Sequence, residues 1–114
     1  MLTAYNINFT VGTNEDLNRR FRLKDTAGDG LNITGAVLEM SAVNDNEVEV
    51  FAAGTVDGRI TLTAPATGYF KILVPQSVIG AVAPGTYSFD LLMTLSGEKS
   101  RLMFGTVNIV EGYA

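Results

Sequence analysis

The 114 residues include no cysteine and no histidine, so disulfides, thiol chemistry, imidazole bases and most zinc or copper sites are excluded. An apolar content of 46% excludes disorder as the default state, and a net charge of -4 argues against nucleic acid as a partner, because phosphate neutralisation needs a basic surface. One domain over residues 1–114 is expected, held by its core, by assembly, or by both.

The stretch Met1-Leu2-Thr3-Ala4-Tyr5-Asn6 has neither the basic nor the apolar region of a secretory signal, and no apolar run approaches the roughly 20 residues that cross a bilayer. A soluble chain made in the cytoplasm, with no membrane partner, is the expectation. Tyr5, Ile7, Phe9 and Val11 then alternate with polar residues and predict an opening strand. Leu17 to Lys24 is a second, with Phe21 and Leu23 set against Arg20, Arg22 and Lys24. A loop at Asp25–Gly30 precedes a third strand over Ile33 to Val43, in which Ala36, Leu38, Met40 and Ala42 share a face.

After the Asn44–Glu47 turn, Val48, Val50 and Ala52 alternate with Glu47, Glu49 and Phe51. Asp57-Gly58 reads as a tight hairpin turn into a strand from Arg59 to Thr63. Tyr69 to Val74 is a further strand, and residues 76–82 are the one place for a short helix, ended by Pro84-Gly85. Last comes a long hairpin. Tyr87, Phe89, Leu91, Met93 and Leu95 alternate strictly, Ser96–Lys99 turns the chain, and Leu102 to Val110 returns. About seven to nine short strands with Gly, Asp and Asn turns indicate an all-β fold, an antiparallel immunoglobulin-like β-sandwich, with a closed small barrel as the other solution.

Carboxylates are the remaining candidates for acid–base work. Glu47 and Glu49, on one strand face, would lie about 7 Å apart, near the spacing glycosidases use, but nothing in the sequence signals the cleft such a pair needs. Asp90 is read as structural, accepting bonds from a turn or pairing with Arg101 across the hairpin. The Asp25–Asp29 and Asn44–Glu47 loops carry oxygen ligands without an EF-hand spacing, and local turn bonding explains them as well as calcium does. No metal and no cofactor is assigned. Arg19, Arg20, Arg22 and Lys24 are the one basic cluster, either a stripe for an acidic partner or cross-strand partners of Glu39, Glu47 or Glu49. Val37, Phe51, Tyr69, Leu73, Leu92 and Met103 fall opposite the expected core positions, so they either cover a second layer or bury against another chain. Arg20, Arg22, Phe51, Tyr69, Leu73, Leu92 and Met103 are therefore the expected interface residues.

Three segments carry a family resemblance: Leu31-Asn32-Ile33-Thr34-Gly35-Ala36, Pro84-Gly85-Thr86-Tyr87-Ser88-Phe89-Asp90-Leu91, and Gly105-Thr106-Val107-Asn108-Ile109. In order and spacing the chain resembles the small immunoglobulin-like β-sandwich proteins of tailed bacteriophages, similar to the N-terminal domain of upper baseplate proteins. The resemblance implies a non-enzymatic virion structural protein, on the tail or baseplate or on the head, expected to assemble through sheet edges and exposed apolar faces, forming a homo-oligomer and contacting other virion proteins such as the major capsid protein. It supplies no active site. The alternatives are a capsid decoration subunit specifically, or a carbohydrate-binding module that stacks sugars on Tyr5, Tyr69, Tyr87 or Tyr113.

Overall fold

A computed structural model describes residues 4–25 and 27–113. Half of the stretch inspected for a targeting signal, and one position of the Asp25–Gly30 loop, lie outside the described residues. Eight strands form: β1 (Tyr5–Gly12), β2 (Leu17–Arg22), β3 (Val37–Val43), β4 (Glu49–Gly54), β5 (Ile60–Ala64), β6 (Tyr69–Val74), β7 (Gly85–Leu95) and β8 (Glu98–Val110). One turn of helix, α1 (Gln76–Ile79), and a 3-10 turn at Pro65–Thr67 complete the elements. No helix among the described residues is long and apolar enough to cross a membrane.

The strands lie in two sheets, one of five in the order β1-β8-β7-β3-β4 and one of three in the order β2-β6-β5. All neighbours are antiparallel except β1, which runs parallel to β8. In immunoglobulin terms β3, β7 and β8 occupy strands C, F and G, β4 occupies C′, and β2, β5 and β6 occupy B, D and E. The fold is an immunoglobulin-like β-sandwich. Tyr87, near the start of β7, donates its hydroxyl proton to the Ala83 carbonyl at 2.5 Å, which is the tyrosine corner of that architecture.

Two residues beyond this corner, where antibody domains place a cysteine, stands Phe89. A chain of rings replaces the disulfide. Phe89 packs against Phe9 at 5.2 Å between centroids, Phe9 meets Phe21 edge-on at 6.0 Å, and Phe21 stacks on Phe70 at 5.3 Å. The seam runs from β7 and β1 of one sheet to β2 and β6 of the other, and each ring pair contributes about 0.5–1.5 kcal/mol beyond its area burial. Around it lie Leu17, Leu38, Met40, Ile60, Ile72, Leu91 and Ile109, all buried.

Three expectations are corrected. The third strand begins at Val37 rather than Ile33, because Asn32 Oδ1 accepts the Thr34 N–H at 3.0 Å and Gly35 takes φ +82, making residues 32–35 a turn. Asp57-Gly58 is no hairpin, since β4 and β5 belong to different sheets and the turn carries the chain from one to the other. Gly58 does adopt φ +80, so the turn signal is real while its partner strand is not. Glu47 and Glu49 do not share a strand face: Glu47 sits in the preceding turn at φ +61, and Glu49 opens β4 and accepts the Ser41 hydroxyl at 2.8 Å.

Candidate surface site on the three-stranded sheet

Alternation along β2 and β6 decides what faces outward. Leu17, Phe70, Ile72 and Val74 point to the core and are buried, with Phe21 half-buried among them, so Asn18, Arg20 and Arg22 share the opposite face with Tyr69, Lys71 and Leu73. The register sets Arg20 against Lys71, Arg22 against Tyr69 and Asn18 against Leu73. Four of the expected interface residues, Arg20, Arg22, Tyr69 and Leu73, are thus gathered on one sheet face. Lys71 joins them, although it is not among the expected residues: a lone lysine in an apolar run carries no signal until its pairing partner is known.

This face is cationic. Strands β2, β5 and β6 contain no Asp or Glu, while β2 and β6 supply Arg20, Arg22 and Lys71 to this face. The expected pairing of Arg19, Arg20, Arg22 and Lys24 with Glu39, Glu47 or Glu49 does not occur, because β2 pairs with β6 while those glutamates lie on or beside β3 and β4 of the other sheet. Among the described residues no carboxylate lies within 4 Å of Arg20 or Lys71. Two like charges directly opposed across a strand pair destabilise the sheet rather than support it. Arg22 is better held: its Nε donates to the Thr67 carbonyl at 3.2 Å, and its guanidinium lies 5.0 Å from the Tyr69 ring centre. Arg20, Arg22, Thr63, Tyr69 and Lys71 line a depression of about 600 Å³.

The outward face of the five-stranded sheet differs. Asp90 and Arg101 form the expected cross-hairpin pair, with Arg101 Nη2 at 2.7 Å and Nε at 2.9 Å from Asp90 Oδ1. The guanidinium also lies 4.3 Å from the centre of the Phe104 ring. Half-buried Leu92 lies on this face, on the opposite side of the sandwich from Leu73. Beside it is a depression of about 500 Å³ lined by Glu39, Glu49, Asp57, Asp90 and Leu92, with no basic residue.

Phe51 and Met103 present no surface, being 5% and 3% exposed. Each follows a bulge. Between β3 and β4 the register passes from Ala42↔Phe51 to Val43↔Glu49, leaving Val50 unpaired and turning Phe51 inward. Between β7 and β8 it passes from Leu91↔Met103 to Leu92↔Arg101, so Leu102 is the extra residue and both it and Met103 are buried. Val37 remains outward.

Part of each edge of the larger sheet is capped by side chains. On β4, Arg59 Nη1 donates to the Ala52 carbonyl at 2.8 Å and Asp57 Oδ1 accepts the Gly54 N–H at 3.0 Å. Thr55 N–H bonds back to Leu38, so the two-residue period turns Ala52 and Gly54 away from β3, onto the free edge. On β1, Arg19 Nη2 donates to the Thr10 carbonyl at 3.0 Å and Glu15 accepts the Gly12 N–H at 2.6 Å. Such caps hinder strand addition.

Other polar loops are internally bonded. Asp25 Oδ1 accepts the Ala27 and Asp29 N–H groups at 2.9 and 3.0 Å, and Asn44 Oδ1 accepts those of Asn46 and Val48 at 2.9 and 3.0 Å. Of the tyrosines weighed as sugar platforms, Tyr87 belongs to the corner and Tyr69 lies under Arg22, whereas Tyr5 and Tyr113 are exposed.

No family model matches the chain. No curated protein matches it either. Among solved structures it is similar to an uncharacterized protein from Bacillus anthracis, with a TM-score of 0.45 and 15% identity over 96% of this chain and 85% of that one. It is similar also to murine CRIg, with a TM-score of 0.43 and 8% identity over 93% and 92% of the two chains. A third is AggA, the major subunit of aggregative adherence fimbriae type I from Escherichia coli, with a TM-score of 0.36 and 11% identity over 92% and 89%.

Proposed function

We propose that the chain is a non-enzymatic structural subunit of a tailed-bacteriophage virion, docking on the tail, baseplate or head surface through the outward faces of its sandwich. The observation that carries the docking role is the uncompensated cationic face: Arg20 opposes Lys71 without a carboxylate, beside exposed Tyr69 and half-buried Leu73. A surface that works against its own sheet is relieved when an anionic partner covers it. Arginine and tyrosine are also the residues that most often anchor protein interfaces. The placement in a virion is supported by the resemblance over residues 31–36, 84–91 and 105–109. Docking by face is favoured over strand addition because of the caps at Ala52, Gly54, Thr10 and Gly12.

Mass spectrometry of gradient-purified particles from the strain that encodes the chain tests this reading. The chain is expected at a fixed copy number per particle, and antibody labelling then separates head from tail. Intact particles that lack it would sink the proposal.

A further inference from the structure

We propose that the two outward faces are the two halves of a single head-to-tail contact, in which the cationic face of one copy docks on the acidic face of the next. This deepens the docking role proposed above and rests on it. The depression on β2 and β6 is lined by Arg20, Arg22 and Lys71 and by no acid. That on β3, β4, β7 and the turn after β4 is lined by Glu39, Glu49, Asp57 and Asp90 and by no base, and with Asp90 already held by Arg101 it offers Glu39 and Glu49 to a partner. The two are of similar size, about 600 and 500 Å³, and each places apolar surface beside its charges: Tyr69 in the first, Leu92 and Ala52 in the second. The charges therefore match in sign, and the apolar residues have counterparts.

Geometry makes the contact heterologous. The faces belong to different sheets and look out from opposite sides of the sandwich, so a copy that engages one neighbour keeps its other face free. Repetition of the contact closes a ring or extends a filament. An acidic protein surface suits the cationic face better than a nucleic acid does. The patch holds few cations on a chain of net charge -4, and a long polyanion would run from it onto acidic surface. The second copy supplies such a surface, and its carboxylates would take the place that the Arg20–Lys71 opposition leaves empty.

Sedimentation velocity of the full chain is the test, at about 20 mM and about 500 mM salt. Concentration-dependent oligomers are expected at low salt, dissociating at high salt. The pair Arg20→Glu and Lys71→Glu, or the pair Glu39→Lys and Glu49→Lys, should each weaken self-association by at least about tenfold. An equimolar mixture of the two variants should regain at least one contact and form 1:1 dimers, because the intact acidic face of one meets the intact cationic face of the other; far-UV circular dichroism confirms that both are folded. A wild-type chain that is monomeric at low salt up to about 1 mM overturns the inference, as does a mixture that stays dissociated. Retention of duplex DNA by the Arg20–Lys71 face of a monomeric chain also overturns it, in favour of nucleic acid. A monomeric chain found in purified virions would overturn this inference and leave the virion role standing.

Discussion

Arg101 and Arg20 are both exposed arginines on outward sheet faces, and they are held in opposite ways. Arg101 donates two bonds to Asp90 and lies over Phe104. Arg20 faces Lys71 across the β2–β6 register, and no carboxylate among the described residues comes within 4 Å of it. On the larger sheet the charge of Arg101 is settled inside the chain. The smaller sheet leaves its charge to be settled from outside. A net charge of -4 conceals this, since it averages two faces of opposite character.

The two outward faces exist only while the two sheets form one sandwich, and the phenylalanine seam is the joint that stands where antibody domains have a disulfide. Truncating Phe89 removes the ring that Phe9 packs on and opens a cavity beside Leu91 and Val107. Phe89→Ala is expected to lower stability by about 3–5 kcal/mol in urea unfolding, more than any change to a surface charge or an edge cap should cost. A loss below about 1 kcal/mol would show that the sheets are joined elsewhere.

A smaller effect should separate the capped edge from the open face. Asp57 Oδ1 holds both the Gly54 N–H on the free edge of β4 and the Arg59 N–H, at 3.0 and 2.8 Å. Asp57→Ala leaves these donors without that acceptor, and a loss of about 1–3 kcal/mol is expected. Light scattering should also rise with protein concentration as the β4 edge becomes open to pairing. If stability falls with no change in scattering, the cap serves the turn alone.

Alternation made most of this fold legible. The C-terminal hairpin, the opening strand and the inward faces of β2, β3 and β7 follow from a period of two, and the Asp90–Arg101 pair follows from the hairpin itself. Misreadings cluster where one extra residue intervenes. The bulges at Val50 and Leu102 invert the phase for Phe51 and bury Met103, and an inserted residue has no signature in an apolar run. Asp57-Gly58 was legible as a turn, but whether it joins neighbours in one sheet or crosses between sheets is a long-range matter. The cationic face was half legible: Arg20, Arg22, Tyr69 and Leu73 can be read as outward, while their assembly with Lys71 depends on β2 pairing with β6 across some fifty residues. Parts of the family resemblance now have local explanations too. Tyr87 forms the corner with Ala83, and Gly105 sits where a Cβ would collide with the Ile7 carbonyl of the parallel strand β1.

The smallest effects bear most directly on the two arginines, because their signs should differ. Asp90 and Arg101 are 54% and 51% exposed, so their pairing contributes no more than about 1 kcal/mol, and Asp90→Ala should cost up to that amount, less at high salt. Arg20→Glu should do the reverse. It turns an opposed pair of cations into a salt bridge with Lys71, and cross-strand pairs differ by about 0.2–1 kcal/mol, so a gain of that order is expected in urea unfolding at low salt. Arg20→Gln provides the calibration, since it removes the repulsion without adding an attraction and should fall between the wild type and Arg20→Glu. Glutamate is a poorer strand former than arginine, which trims the gain without reversing the order. High salt should bring the three proteins together, because what separates them is an exposed charge interaction. Were Arg20→Glu the least stable of the three at low salt, Arg20 would be compensated within its own chain, and the contrast with Arg101 would fail. If instead it is the most stable and also fails to self-associate, the same arginine that weakens the sheet is the one that docking requires.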